Sequence, residues 1–462
     1  MLDSDEIAVC FEGRSITFRQ LQNEVYHVIS QLGFCKQQSV IGLVSDNKWH
    51  TFLLVHAFSQ LNKTLLHLGS ALSTQRMQYL LDESSCELLI TERKELELSS
   101  NISTVNLETV FSSSSSRIYS QKFHSPSFQA IVATSGSSGK PKGVILSAQA
   151  ITASANSVNK KLGLHAGDCW LNCLPLYHIA GLSIIYRCTI AFASMLLCQR
   201  FEAEKVWREL HDFPVTHISL VPPMLSLLLE VSEGTRPPER LRVVLVGGGF
   251  LSPQLASRAH DAGWPLAISY GMTETASMCV CDTSKNAGLV EGRVGFPLEG
   301  FDISLSAKKN NIIVAGPTLM SGYVNQDQVL AKGLGDTGFS TGDSGKWGED
   351  GSLYITGRVD DVLVSAGKTI HPREVEERLE HYPGADLVAV TAVADPVWGD
   401  CLVAVVDSDS CDLSDLKSWA RKQLPSSICP RLFVKVDAFP MTVTAKLDRM
   451  ALKELILQHN TD

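Results

Sequence analysis

The chain has 462 residues, 44% of them hydrophobic and 19% charged, with a formal net charge of -9. This composition is globular and excludes a disordered chain, while the length exceeds the roughly 250–300 residues that one core can hold, so a large and a small domain are expected. The acidic balance and the lack of a sustained Lys/Arg run exclude nucleic acid as a partner, because phosphate backbones need a basic face.

Along the chain, Met1 to Arg14 carries Asp3, Asp5, Glu6 and Glu12 among its apolar residues. It lacks the basic-then-apolar order of an export signal, and a cytoplasmic location is expected. A helix is predicted over Ile16–Leu32, where Phe18, Leu21, Val25, Val28, Ile29 and Leu32 recur at helical spacing behind Ser15 and Thr17 as caps. Short apolar runs at Val40–Val44, Glu87–Ile90, Ala130–Thr134, His217–Val221, Arg242–Val246 and Pro265–Ser269 alternate with further helical patterns. That alternation predicts βαβ units and an α/β fold of layered sheets and helices.

Ser112–Ser116 reads as a surface loop. The stretch Ile179–Leu197 is apolar but interrupted by Arg187, which favours a buried core helix over a membrane span. Twelve cysteines show no CxxC pair or Cys/His cluster and are expected to be reduced, buried thiols. From about Gly357 the pattern shifts to a small α+β domain, with a helix at Pro372–Glu380 and strands at Ala385–Val393 and Cys401–Val406.

The strand Ala130–Thr134 runs into Thr134-Ser135-Gly136-Ser137-Ser138-Gly139-Lys140-Pro141-Lys142-Gly143, and a strand, Val144–Leu146, follows at once. Small hydroxylated residues and glycines let backbone N–H groups converge on phosphate oxygens, with Lys140 and Lys142 supplying charge. The GxxxxGK[ST] pattern does not fit, and a strand rather than a helix follows, so this is a phosphate cradle of another kind.

The order of that loop resembles the adenylate-forming superfamily of acyl-CoA synthetases, luciferases and nonribosomal-peptide adenylation domains, with Ser138 where Thr is usual. The resemblance continues along nearly the whole chain. It implies that Thr134, Ser135, Gly136, Ser137, Ser138, Gly139 and Lys142 bind the phosphates of ATP. It implies further that Gly247-Gly248-Gly249 form the adenine-side loop, and that Tyr270-Gly271-Met272-Thr273-Glu274 stack on adenine, approach the α-phosphate through Thr273 and hold Mg²⁺ through Glu274. The residue types match these roles, as a flat π face, a short hydroxyl and a hard carboxylate oxygen.

Ser340-Thr341-Gly342-Asp343 resembles the ribose-binding motif, and Gly357-Arg358-Val359-Asp360-Asp361 the junction whose Arg contacts the nucleotide and whose first Asp is a hinge. The implied domains are residues 1–357, with the ATP and acyl sites, and a smaller mobile α+β domain of residues 358–462. Thr444-Ala445-Lys446-Leu447 resembles the C-terminal motif whose Lys neutralises charge as carboxylate meets phosphate. The resemblance also implies that the Ser365-Ala366-Gly367-Lys368 loop lines the path of the coenzyme A thiol, Gly367 giving it room. Lys446, Thr273, Glu274, Lys142 and His178 are the expected catalytic residues. This sequence has Ala366 and Lys368 where many relatives carry Gly and Glu, and Thr-Val-Thr-Ala-Lys before Leu447 instead of Pro-x-Thr-x-x-Gly-Lys.

Leu174-Pro-Leu-Tyr-His178-Ile-Ala-Gly181 through Arg187, Ile218-Ser-Leu-Val-Pro-Pro, and Val246 to Ser277 resemble the 2-succinylbenzoate–CoA ligases of menaquinone biosynthesis. The implied partners are a small-molecule carboxylic acid, ATP with Mg²⁺, and coenzyme A, with no membrane span. The candidate substrate residues are His178, Arg187, Gly248 and Ser277. Two readings stand for Arg187, a cation for the non-reacting carboxylate of a diacid or one half of a structural ion pair, and two for His178, a substrate contact or a structural histidine. An enzyme that adenylates another aryl or acyl acid, or loads a carrier protein, is the alternative function; a nucleotide-binding protein without chemistry is the rival from another class.

Overall fold

A computed structural model describes residues 4–35, 37–93, 96–112, 129–134, 141–307, 310–324, 334–335, 338–359, 363–365, 368–370, 372–385, 388–395, 399–407, 411–426, 428–441 and 447–459. The chain forms two compact units. The larger takes Met1–Ile303, Ile313–Ser340 and Gly348–Leu353, and the smaller Ser304–Ile312, Thr341–Trp347 and Tyr354–Asp462.

The first sheet of the larger unit runs in the order Arg14–Thr17, Ile7–Phe11, Ser194–Leu197, Cys169–Asn172, His217–Leu220, Val243–Val246, Leu266–Met272, Ser277–Asp282, Arg293–Pro297. From Ile7–Phe11 through Leu266–Met272 every pairing is parallel. These strands are short and apolar because both faces are covered, as a parallel sheet requires. Leu171, Ile218, Leu220, Val244, Val246, Leu266 and Ile268 pack into one buried cluster with Val206, Leu210, Leu225, Leu228, Ala256 and Ala259 from three helices. The parallel run aligns the C-terminal ends of His217–Leu220, Val243–Val246 and Leu266–Met272 on one edge, where ligands of open α/β sheets bind.

The second sheet of the larger unit has the order Gly322–Tyr323, Lys142–Leu146, Ala130–Thr134, Thr64–Leu68, Val40–Val44, Leu88–Thr91, Ser103–Asn106. Its hairpin of Ala130–Thr134 against Lys142–Leu146 pairs Thr134 with Lys142, so the two ends of the predicted phosphate loop are held side by side.

Local signals act as expected at several element ends. Thr17 caps the helix Phe18–Gln31 in a reciprocal box with Gln20, but residues 14–17 are a strand, so the helix begins two residues later than its apolar spacing indicates. All twelve cysteines are free, and all but Cys10 and Cys429 are buried. The apolar stretch 179–197 is corrected: the helix Ile179–Ala191 stops at Phe192, whose backbone turns left-handed at φ 54, and Ser194–Leu197 is a buried strand. Apolar runs buried as helix and as strand look alike in sequence, and only the chain reversal at Phe192 separates them. Among the described residues, no helix is long and apolar enough to cross a membrane.

In the smaller unit, Gly399–Val406 pairs antiparallel with Val388–Asp395 and parallel with Leu432–Lys435. Side chains alternate between two cores. Val388, Val390, Leu402, Ala404 and Val406 pack with Val375, Leu379, Leu416 and Ala420, whereas Ala389, Val403 and Val405 pack with Leu452 and Ile456. Glu376, only 2% exposed, ties these layers together: it accepts two hydrogen bonds from Arg449 at 2.8 and 3.0 Å and one from the Val390 N–H at 2.8 Å. Glu376→Ala is expected to destabilise this unit by about 2–3 kcal/mol, because the Val390 N–H and the Arg449 guanidinium lose the buried carboxylate on which they converge. Thermal unfolding checks this, and a loss below about 1 kcal/mol would show the triad to be a minor contributor.

Candidate active site

The two ends of the phosphate hairpin converge with the turn that carries Glu274. Thr134 Oγ1 donates to the Lys142 carbonyl at 3.4 Å. The Lys142 ammonium lies over the Tyr323 ring, 4.9 Å from its centroid, and the Tyr323 hydroxyl donates to Glu274 Oε1 at 2.8 Å. Burial first, and the Glu274 carboxylate second, hold the Tyr323 phenol above its ordinary pKa, so it stays a neutral donor. Tyr323 is not among the residues expected from sequence, since a lone Gly-Tyr step after a loop carries no signal of its own. Ser135, Gly136, Ser137, Ser138 and Gly139 lie outside the described residues.

The segment from Tyr270 to Ser277 folds as a strand end, a short 3-10 turn at Thr273–Thr275 and the start of the next strand. Tyr270, Gly271 and Met272, expected to follow the strand, are its last three residues. Gly271 is obligatory there, because an added Cβ would come within 2.2 Å of the Ser277 carbonyl oxygen. Two consecutive non-glycine residues, Ala276 at φ 56 and Ser277 at φ 151, have positive φ, a strain that the surroundings must hold in place. The fully buried Thr275 does so: its hydroxyl accepts from the Met272 N–H at 3.1 Å and lies 2.6 Å from the Ser277 carbonyl. Ser277 Oγ shares a 2.8 Å hydrogen bond with Ser154 Oγ, both groups being buried. Its hydroxyl thus forms part of the wall between the helix Ala148–Leu162 and the strand Ser277–Asp282.

Gly247, Gly248 and Gly249 leave the C-terminal end of Val243–Val246 beside that of Leu266–Met272. A Cβ on Gly247 would stand 2.3 Å from Ser269 Oγ, and Gly248 has φ +75. The three glycines therefore hold an exposed ledge of bare backbone close to Tyr270, suited to a flat ligand.

His178 is the half-buried cap residue of the helix Ile179–Ala191, its ring edge-on to Tyr177 with centroids 4.6 Å apart. Arg187 lies nine residues further along the same helix, about 13 Å at 1.5 Å per residue. It is 3% exposed, its guanidinium is stacked 5.3 Å from the centre of the Trp170 ring, and its Nε has no hydrogen-bond partner. Desolvation pulls its pKa down to about 10. No acid among the described residues is within ion-pair distance of it, and the charge neighbours that bear on it are the thiols of Cys188 and Cys281.

In the smaller unit, Asp343 and Arg358 form an ion pair at 2.9 Å, Arg358 also donating to the Thr341 carbonyl at 3.1 Å. Gly342 between them has φ +77, a left-handed backbone that favours glycine. Asp360, Gly367 and Lys446 lie outside the described residues.

Glu274 suits a magnesium–nucleotide complex: one carboxylate oxygen is fixed by Tyr323 and the other makes no hydrogen bond among the described residues. Among those residues no cluster of three or more His, Cys, Asp or Glu could cage a metal, and Mg²⁺ commonly binds one or two carboxylates together with substrate phosphates.

Residues 3–324 match the AMP-binding enzyme family, and residues 374–446 match the AMP-binding enzyme C-terminal domain. A 2-succinylbenzoate–CoA ligase of Enterococcus faecalis is 31% identical, covering 96% of this chain and 94% of its own length. A ligase of the same name from Listeria monocytogenes is 32% identical, covering 98% and 97%. The o-succinylbenzoate coenzyme A synthetase of Bacillus subtilis in complex with ATP and magnesium superposes with a TM-score of 0.89 at 28% identity over 97% of both chains. Its complex with the acyl-adenylate intermediate gives 0.88 at the same identity over 97% of this chain and 95% of that one. With both characteristic regions matched in order, and with Lys142 and Glu274 brought together through Tyr323 in the larger unit, the chain belongs to the AMP-binding enzyme family.

Proposed function

We propose that this chain is a 2-succinylbenzoate–CoA ligase, AMP-forming, acting in menaquinone biosynthesis. The observation that carries the proposal is the full-length likeness to ligases of that name, and the buried cation Arg187, without an acid partner among the described residues, supports a diacid substrate. In the first step a carboxylate oxygen of the substrate attacks the α-phosphorus of ATP, and the bond to the pyrophosphate oxygen breaks. In the second the coenzyme A sulfur attacks the acyl carbon, losing its proton, and AMP leaves.

Thr134, Ser135, Gly136, Ser137, Ser138, Gly139 and Lys142 hold the phosphates, and Thr273 meets the α-phosphate. Gly247, Gly248, Gly249, Tyr270, Gly271 and Met272 form the adenine side, and Asp343 and Arg358 meet the ribose and nucleotide. Mg²⁺, held by Glu274 and the phosphates, would neutralise charge on the departing pyrophosphate. Lys446 stands between carboxylate and phosphate in the first step, and Gly367 opens the thiol's path in the second. His178, Gly248 and Ser277 line the acyl side with Arg187. The division of labour falls between residues 1–357 and 358–462, with the hinge at Asp360, and the enzyme works in the cytoplasm.

Pyrophosphate release across a panel of 2-succinylbenzoate, benzoate, succinate, malonate and a medium-chain fatty acid tests the substrate, followed by thioester formation with coenzyme A. The expected result is strong preference for 2-succinylbenzoate and a coenzyme A product. Preference for another acid, or release of pyrophosphate without a coenzyme A thioester, would overturn the assignment in favour of a different acid or a carrier-protein acceptor.

A further inference from the structure

We propose that Tyr323 is a positioning residue that orients the magnesium-binding carboxylate of Glu274 and keeps it apart from Lys142. The inference rests on the functional reading above, in which Glu274 meets the metal and Lys142 the phosphates.

Its basis is a staple between two segments far apart in sequence. Gly322 and Tyr323 pair with Ile145 and Val144 of the phosphate hairpin. The Ser321 N–H donates to the Ile145 carbonyl at 2.8 Å, and the Val324 N–H to the Gly143 carbonyl at 2.9 Å. Just before them, the Met320 N–H donates to the Glu274 carbonyl at 2.8 Å. One short segment thereby fixes the backbones on which Lys142 and Glu274 are carried.

The Tyr323 side chain completes the arrangement. It is 6% exposed, with its hydroxyl 2.8 Å from Glu274 Oε1 and its ring face 4.9 Å from the Lys142 ammonium. A Lys and a Glu on adjoining segments would otherwise pair directly, each occupying the charge that the other's ligand needs. With the ring between them, Lys142 is held by a cation–π contact, weaker than an ion pair and readily exchanged for a phosphate oxygen. Glu274 has one oxygen oriented by a neutral donor, and Oε2, which makes no hydrogen bond among the described residues, is left for the metal.

Tyr323→Phe removes the hydroxyl and keeps the ring. By titration calorimetry, its Kd for ATP in the presence of Mg²⁺ is expected to rise about tenfold, the scale of one hydrogen bond to a charged group, while ATP binding in EDTA changes less than about twofold. The Mg²⁺ concentration giving half-maximal pyrophosphate release should rise in parallel, with the KM for the acid unchanged. Tyr323→Leu, which also removes the ring, should weaken ATP binding in EDTA as well. If wild type shows the Mg²⁺ dependence and Tyr323→Phe reproduces it unaltered, or loses only thermal stability, Tyr323 is a packing residue and the inference fails. If wild type itself neither binds MgATP nor releases pyrophosphate, the functional reading falls first.

Discussion

Arg187→Ala is expected to raise the KM for 2-succinylbenzoate by two to three orders of magnitude while leaving the Kd for ATP within about twofold. The guanidinium is buried, rests on the Trp170 ring and has no acid partner among the described residues. A cation in that position is costly to the free protein and becomes favourable when an anion arrives. Removing it leaves the second carboxylate of a bound diacid unpaired, a loss of about 2–5 kcal/mol. Arg187→Lys should recover only part of the affinity, because an ammonium lacks both the planar fork and the ring-stacking face. Steady-state kinetics with the diacid and with benzoate checks this, since the penalty should apply to the diacid alone. Equal losses with both acids, or a large fall in thermal stability with KM unchanged, would make Arg187 a structural residue.

Lys446→Ala is expected to lower adenylate formation by about 10²–10³, the scale of removing one preorganised charge from a developing anion, while thioester synthesis from supplied acyl-AMP persists. Arg449, three residues beyond Lys446, is anchored on Glu376, so the substitution should not unfold the smaller unit. Gly367→Trp should do the reverse, adenylating normally and failing to pass the acyl group to coenzyme A. Single-turnover assays of the two half-reactions separate the variants. Parallel losses in both half-reactions for either variant would count against a two-step division between these residues.

Much of the nucleotide side is legible from residue order alone. Phosphate and adenine favour bare backbone, small hydroxyls and a flat ring, and the stretches proposed for them, Thr134 to Gly143, Gly247 to Gly249 and Tyr270 to Glu274, are contiguous in the sequence. The close approaches at Gly247 and Gly271 give the physical cause of two of those glycines. The apolar run 179–197 reads in sequence as one helix because burial selects the same residues in helix and strand, and the left-handed turn at Phe192 carries no glycine to announce it.

The amino-acid order by itself determined the α/β class and the contiguous motifs, but not the place of Tyr323 beside Glu274 and Lys142. Pairings between residues far apart in the chain were decided only by tertiary structure. Tyr323 meets Glu274 and Lys142 because Gly322–Tyr323 adds to the edge of the phosphate hairpin, Ser277 meets Ser154 across a helix–sheet contact, and Glu376 meets Arg449 across a sheet. Arg187 is the sharpest case: its sequence allowed a ligand site or an ion pair equally, and packing sets its guanidinium on the Trp170 ring with no acid at ion-pair distance among the described residues. Local propensity acts over a few residues, whereas desolvation and charge pairing depend on neighbours that only the folded chain assembles.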